Sequence, residues 1–250
     1  MTDRRFGGIE RLYGVAAAQH IFNAHVAVVG IGGVGSWVAE ALARSGVGQL
    51  TLIDFDQVSE SNINRQIHAT QHTLGMAKVD AMRERIHSFF PDCQVNCVEV
   101  FADPDNWPAV LPQSANAVVD ACDQVTAKVA MAGWAIRSDV HFVLVGAAGG
   151  KRLAQHVCVE DLSQVTHDPL LAKVRYQLRK VHNAPREGRR MGITSVFSRE
   201  AVAPPDASCG VSGDGTLNCH GYGSLVTVTA TFGQCAAGVI LNKLAGVPKS

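Results

Sequence analysis

No C-x-x-C pair occurs among the seven cysteines, so a four-cysteine zinc site is not expected. The count is odd, the cysteines are scattered, and no secretory signal precedes them. Reduced thiols and a cytoplasmic location are therefore the expectation. The start of the chain is polar and basic, without an apolar segment to act as a targeting sequence. Net charge is also lacking, because 22 Lys and Arg balance 22 Asp and Glu. No global field draws in nucleic acid, and any polyanion site has to be a local patch. Asp, Glu, Lys and Arg are all missing between Asp214 and Lys243. A stretch of that length can span a bilayer. Asn218, His220, Gln234, four threonines and several glycines interrupt it, so a buried core helix and no membrane association are expected. Internal repeats and low-complexity tracts are absent.

What remains is the material of a soluble globular protein: 250 residues, 47% hydrophobic and 18% charged. That is enough for one large domain or two small ones. The chain is organised around Val26-Ala-Val-Val-Gly-Ile-Gly-Gly-Val-Gly-Ser36. Residues 26–29 form a short apolar run, as a strand covered on both faces requires. Gly30, Gly32 and Gly35 then fit G-x-G-x-x-G, with Gly33 inside the turn. The first glycine permits the sharp turn, the second admits a phosphate to the backbone, and the third lets the helix pack close to the strand. A helix over 34–45 points its N-terminal amides at the same spot. A second strand, 49–53, ends at Asp54, 24 residues after Gly30, where a nucleotide-binding βαβ unit places its ribose-binding acid.

Further strands are expected over 95–100, 117–123 and 141–145, alternating with helices over 74–86 and 125–137. A helix over 9–22 precedes the first strand. This alternation gives a doubly wound, Rossmann-like α/β sheet, parallel through its first five strands and extended by antiparallel ones to about eight. Ligands of such sheets sit beyond the carboxyl ends of the strands, where Gly30, Asp54, Asp56, Asp120, Asp123 and Gly146 all fall. The second half has a strand over 152–160, a helix from Asp168 as N-cap with Pro169 at N1, and a strand over 193–197. A long loop, 204–223, carries Cys209, Cys219 and His220 before a last helix over 225–244.

The polar residues at the strand ends form a constellation. Asn62, Asn64, Arg65 and Gln66 supply donors and positive charge, and Lys78 falls in a first helical turn, where a cation is unfavourable unless an anion lies nearby. Asp123, together with Asp120, offers hard oxygen ligands to Mg²⁺. A dehydrogenase needs the glycines and Asp54 but not an Arg, a Lys and a metal acid converging on phosphates. Nucleotidyl transfer needs them, because charge builds on the α-phosphate and on the leaving pyrophosphate. Structural readings stand beside these: Asp56 as a turn cap, Asp120 bonding backbone, Cys122 as core. Lys173, Arg175, Arg179, Lys180, Arg186, Arg189 and Arg190 make a dense basic run relieved only by Glu187, readable as a solvated helix face or a phosphate-holding surface.

Gly30-Ile-Gly-Gly-Val-Gly-Ser36, Asp54-Phe-Asp56, Ser61-Asn-Ile-Asn-Arg-Gln66, Gly75-Met-Ala-Lys78 and Asp120-Ala-Cys-Asp123 resemble the ordered motifs of the adenylating superfamily of ubiquitin-activating enzymes, ThiF and MoeB. The resemblance covers about residues 5–245. It implies that Arg65 and Lys78 polarise the phosphates of ATP, that Asp123 holds Mg²⁺, and that Asp54 takes the ribose. Ser61, Asn62, Asn64 and Gln66 would complete the nucleotide site. Arg5-Phe-Gly-Gly-Ile-Glu-Arg-Leu-Tyr-Gly14, Thr166-His-Asp-Pro-Leu170, Ser195-Val-Phe-Ser198 and Thr227-Val-Thr-Ala-Thr-Phe-Gly233 resemble the tRNA threonylcarbamoyladenosine dehydratase branch. That branch implies ATP-dependent adenylation of a threonyl carboxylate next to the tRNA anticodon, cyclisation by the carbamoyl group, and a net dehydration. It also implies a homodimer and one adenylating domain, with an ATP-binding half at 1–147 and a substrate and dimerisation half at 148–250. A sulfur-transfer protein is a further partner it leaves open. Gly8 stands where the superfamily commonly has an arginine, leaving Arg5 and Arg11 as candidates. Cys219 lies where relatives often place a reactive thiol. The alternatives are an adenylyltransferase for a ubiquitin-like sulfur carrier, a non-catalytic nucleotide-binding subunit, and an NAD-dependent oxidoreductase.

Overall fold

The computed structural model describes residues 3–186, 188–206, 208 and 222–247. Its centre is one seven-stranded sheet ordered β3-β2-β1-β4-β5-β7-β6. The strands are β1 (His25–Val29), β2 (Gln49–Ile53), β3 (Gln94–Val98), β4 (Ala117–Asp120), β5 (His141–Val145), β6 (Val157–Asp161) and β7 (Thr194–Ser198). All neighbours pair in parallel except β6 with β7. The doubly wound sheet is thus as expected, with seven strands among the described residues and a single antiparallel edge strand. The sixth strand begins later than the expected 152–160, because a short 3₁₀ turn (Ala154–His156) precedes it.

The helices are α1 (Gly7–Tyr13), α2 (Val15–Phe22), α3 (Gly35–Arg44), α4 (Lys78–His87), α5 (Val125–Ala135), α6 (Pro169–Val181) and α7 (Val226–Leu244). The expected single helix over 9–22 is two, because Gly14 between them has φ of +83°, a left-handed conformation that ends a right-handed helix. The two sheet faces divide the core by strand alternation. Val26 and Val28 of β1 pack under α2, α3, α4 and α7, whereas Ala27 and Val29 pack under α5 and α6. The charge-free stretch ends in α7, which buries Val228, Phe232, Ala236, Ala237 and Ile240 in that core. Gly233 lets α7 approach α3 closely, since a Cβ there would lie 2.6 Å from the Cβ of Trp37. No described helix is long and apolar enough to cross a membrane.

The strand order turns from descending to ascending between β1 and β4, which opens the crevice at their carboxyl ends. A buried charge ties the ends of β4 and β5 together. Lys128 of α5 has no exposed surface. Its ammonium donates to Asp120 Oδ1 at 3.0 Å, to the Asp120 carbonyl at 3.4 Å and to the Val145 carbonyl at 2.7 Å. Burial opposes this charge, but the neighbouring Asp120 carboxylate outweighs that and holds the ammonium above its ordinary range. Removing one partner of such a pair leaves the other charged and dry. Lys128→Met is expected to lower stability by about 3–5 kcal/mol, and Lys128→Met with Asp120→Leu to recover much of it. Urea midpoints of the two variants measure this, and equal losses in both would contradict it.

Candidate active site

The glycine turn follows β1 at the crevice. Gly30 has φ of +83°, and a Cβ there would meet the Cys122 amide at 2.8 Å. A Cβ on Gly35 would collide with the Gly30 carbonyl. Both glycines are demanded by the protein's own packing. Gly32 is different: nothing lies within 4 Å of a Cβ built there. The turn is closed where the chain needs it closed and open where a ligand phosphate would approach.

Asp54, at the end of β2, braces this turn. Its Oδ2 accepts the Ile31 N–H at 2.6 Å and its Oδ1 accepts the Asp56 N–H at 2.8 Å. Burial pushes its carboxyl above the ordinary range, against the pull of Lys78 and these two amides. Each oxygen keeps a lone pair for a further donor such as a sugar hydroxyl.

The segment 59–66 leans on the same turn. Ser59 and Asn62 form a capping box, with Asn62 Oδ1 accepting the Ser59 N–H at 3.0 Å, so Asn62 shapes the loop from a buried position. The Arg65 guanidinium donates to the Ser61 carbonyl at 2.7 Å and to Asn64 Oδ1 at 2.9 Å. Its methylene stem lies 3.3 Å from where a Gly33 Cβ would sit. Trp37 of α3 holds the Arg65 carbonyl through its indole N–H at 2.9 Å. The amide of Asn64 donates to Ser224 just before α7. Gln66 is buried, with its Oε1 unpartnered.

Lys78 opens α4, four residues later than the helix start the pattern suggested, because residues 74–77 form a turn and Ala77 is the N-cap. Its Nζ pairs with Asp56 Oδ2 at 2.6 Å, with the lysine buried and the aspartate half exposed. Asp56 is thus a charge partner as well as a turn residue.

Asp120 lies beneath the turn, wholly buried and paired to Lys128, with Oδ2 lacking a partner. Asp123 is exposed beyond β4, and among the described residues its one side-chain contact is the Gln124 amide at 3.5 Å. One exposed carboxylate beside an open phosphate turn suits Mg²⁺, which is commonly held by one or two carboxylates together with phosphate oxygens. No cluster of three His, Cys, Asp or Glu able to hold a metal by itself occurs among the described residues. Arg5 is committed elsewhere, bonded to Asp3, Asp92 and the Phe89 carbonyl, while Arg11 is exposed beside a shallow cleft. Cys219 lies outside the described residues.

Sequence reasoning missed three supporting groups: Trp37, Lys128 and His68. Trp37 and Lys128 sit in helical apolar patterns that do not advertise polar work. His68 is buried with both ring nitrogens unpartnered, and burial followed by the charges of Lys78 and Arg85 drives its pKa down to about 3.

The fold and this arrangement define a doubly wound α/β protein with a glycine turn at the carboxyl edge of its sheet, an arginine stem packed on the turn and a lysine beside the aspartate that braces it. The chain belongs to the ThiF family, whose model matches residues 7–250. It is 41% identical to the tRNA threonylcarbamoyladenosine dehydratase of Haemophilus influenzae, over 97% of this chain and 94% of that one. The protein of the same name from Escherichia coli is also 41% identical, over 96% of this chain and 93% of that one. A crystal structure of the Escherichia coli enzyme in complex with ATP superposes with a TM-score of 0.88 at 40% identity, covering 97% of this chain and 94% of that chain. The adenylyltransferase and sulfurtransferase MOCS3 of Drosophila willistoni is 35% identical over only 46% of this chain and 25% of its own length.

Two predictions follow from the turn and from His68. Gly32→Ala should fold with wild-type stability yet bind ATP at least tenfold more weakly by calorimetric titration, whereas Gly35→Ala should lose stability by roughly 1–3 kcal/mol or more. A neutral buried histidine is favoured in the folded state, so between pH about 6.5 and about 3 the unfolded chain takes up a proton that the folded chain refuses. Stability contributed by His68 is therefore present above that window and lost as pH falls through it. His68→Leu should flatten the acid limb of a denaturation midpoint plotted against pH, and an unchanged slope would refute the assignment.

Proposed function

We propose that this protein uses ATP to dehydrate threonylcarbamoyladenosine next to the tRNA anticodon. The threonyl carboxylate attacks the α-phosphate and releases pyrophosphate. The carbamoyl group then closes on the activated carbonyl and expels AMP, for a net loss of one water. What carries the reading is the convergence of Arg65, Lys78 and the open Gly32 backbone on one crevice, in a chain that matches the named relatives over nearly its whole length. The match to MOCS3 is short, and the zinc-type cysteine pairs are missing, so sulfur-carrier adenylation is the weaker reading.

Roles follow from chemistry. Arg65 and Lys78 bring fixed positive charge to the phosphates, where negative charge grows as pyrophosphate leaves. Asp54 orients the turn and keeps acceptor capacity for the ribose. Gly30, Gly32, Gly33 and Gly35 present backbone amides. Ser61, Asn62 and Asn64 hold Arg65, Gln66 would complete the crevice beside them, and Asp56 pairs Lys78. Asp123 would hold Mg²⁺, which supplies Lewis-acid neutralisation of phosphate charge when bound. Asp120 positions Asp123 by accepting the Cys122 N–H just beyond β4, and Cys219 remains a candidate thiol. Residues 1–147 serve ATP and 148–250 serve substrate and a homodimer contact, within one domain. A sulfur-transfer protein as partner and a cytoplasmic location complete the reading.

The basic run supports RNA as the substrate but is not uniform. Arg175 donates to the carbonyls of Leu162 and Val165, and Arg179 to that of Pro185. Lys173, Lys180, Arg186, Arg189 and Arg190 are exposed. The bases at 186–190 lie at the amino edge of the sheet, since they lead into Thr194, which pairs with Val143. The glycine turn is at the carboxyl edge, so a bound RNA has to reach across the molecule.

Lys78→Ala and Arg65→Ala should each lower turnover about a hundredfold or more. The decisive measurement mixes enzyme, Mg-ATP and tRNA bearing threonylcarbamoyladenosine, then weighs the nucleosides after digestion. ATP-dependent loss of one water is expected. An unchanged nucleoside, with pyrophosphate released only when a small carrier protein is added, would overturn the proposal.

A further inference from the structure

The exposed face of α6 has a chemistry that ATP binding does not use. The helix buries Leu170, Leu171, Val174 and Leu178 against the sheet. At 3.6 residues per turn, Lys173, Tyr176 and Lys180 fall within about 60° of one another on the opposite side. Tyr176 is 63% exposed. It has no ring partner or hydrogen bond among the described residues, and neither lysine forms an ion pair among them. Sequence offers no local neutralisation either, because no acidic residue occurs between Asp168 and Glu187. Like charges stacked along a helix repel one another, and an exposed aromatic in their midst buries little apolar surface.

The placement of α6 gives this face a direction. Asp168 caps the helix through the Leu171 N–H at 2.9 Å and also accepts the Ala147 N–H at 2.9 Å. The helix therefore starts at the carboxyl edge of β5, the edge that carries the glycine turn. Thirteen residues later it ends at the amino edge, about 20 Å away, where exposed Arg186, Arg189 and Arg190 follow. Cations thus line a continuous path from the catalytic edge to the basic loop, with one aromatic ring midway.

Resting on the RNA-substrate reading above, we propose that the exposed face of α6 is a track for the unpaired loop of the substrate RNA, with Tyr176 stacking on one unpaired base while Lys173 and Lys180 hold the flanking phosphates. A duplex keeps its bases stacked inside and offers a protruding ring nothing to stack on, whereas an unpaired loop presents base faces. Alternation of cation, aromatic and cation along one helical face matches the alternation of phosphate and base along a single strand. An apolar protein partner would need a wider greasy patch than one tyrosine.

The test uses the intact protein, a fluorescein-labelled anticodon stem-loop RNA and a fully paired RNA duplex with the same number of phosphates. Tyr176→Ala should weaken stem-loop binding about tenfold, the scale of one lost base stack, and leave the salt slope and duplex binding unchanged. Tyr176→Phe should restore wild-type affinity, because stacking needs the ring and not the hydroxyl. Lys173→Ala with Lys180→Ala should flatten the salt dependence for both RNAs. ATP affinity and thermal melting should be unchanged in every variant. Wild-type stem-loop affinity in Tyr176→Ala, or an equal loss for stem-loop and duplex, would overturn the proposal. So would displacement of the stem-loop by an acidic peptide whose own binding depends equally on Tyr176. The two readings fail separately. Water loss from the modified nucleoside with normal stem-loop binding by Tyr176→Ala removes only the α6 track, whereas absence of water loss defeats the proposed reaction whatever Tyr176 does.

Discussion

Lys128 is a charge from which water is excluded, and the crevice depends on how it is satisfied. Its three acceptors belong to Asp120 and Val145, the last residues of β4 and β5. Asp120 Oδ1 in turn accepts the Cys122 N–H at 3.2 Å, which shapes the chain leading to Asp123. The ammonium therefore determines where two neighbouring strands end and how the segment after β4 leaves the sheet. A hydrophobic residue of the same length would fill the space and hold neither strand end. This segment is also what Gly30 must clear, since a side chain there would strike the Cys122 amide. The conformation of the glycine turn and the satisfaction of a buried lysine are one constraint seen from two sides.

A second buried lysine repeats the device further along the sheet. Lys151 is 2% exposed and donates to the carbonyls of His167, Ser198 and Glu200. Burial lowers its pKa, partly offset by Asp168 and Glu200. These carbonyls belong to the residue before the α6 cap, to the last residue of β7 and to the turn just after it, so Lys151 ties the start of α6 to the sheet. Gly146 permits the same junction, because a Cβ there would collide with the Asp168 carboxylate. The helix that carries the basic face is anchored at its catalytic end and free along its outer side.

The doubly wound sheet was legible because its signals are local and redundant. A buried apolar run, a glycine turn and a helix start occupy eleven consecutive residues, and the strand ends gather the polar groups by topology alone. Asp168 and Pro169 announced the start of α6, which the structure bears out. Gly14 was the one strong helix breaker inside the first pattern, and its left-handed φ divides that helix. What periodicity could not display were interactions that depend on depth. Lys128 and Lys151 look like ordinary lysines until burial obliges them to find acceptors. The basic run looked uniform in sequence, yet Arg175 and Arg179 bend inward to carbonyls while Lys173 and Lys180 stay outside, a distinction set by helical phase against the sheet.

The pair formed by Asp56 and Lys78 explains how the crevice accommodates a buried ammonium at a helix start. A lysine at a helix start faces the positive end of the dipole, and this one is nearly buried. A buried ammonium with no partner would cost several kcal/mol. Asp56 Oδ2 at 2.6 Å removes that cost, and the Lys78 N–H donates to the Asp56 carbonyl at 3.0 Å, so the aspartate is bound to the lysine twice. The carboxylate is itself half exposed, so water could solvate it if, as proposed, a phosphate drew the ammonium away. A deeper partner would hold Lys78 more tightly, and none at all would leave its buried charge uncompensated. Half exposure places Asp56 between those limits, and the folded crevice keeps its positive charge available because the group that neutralises it is the one most easily rehydrated.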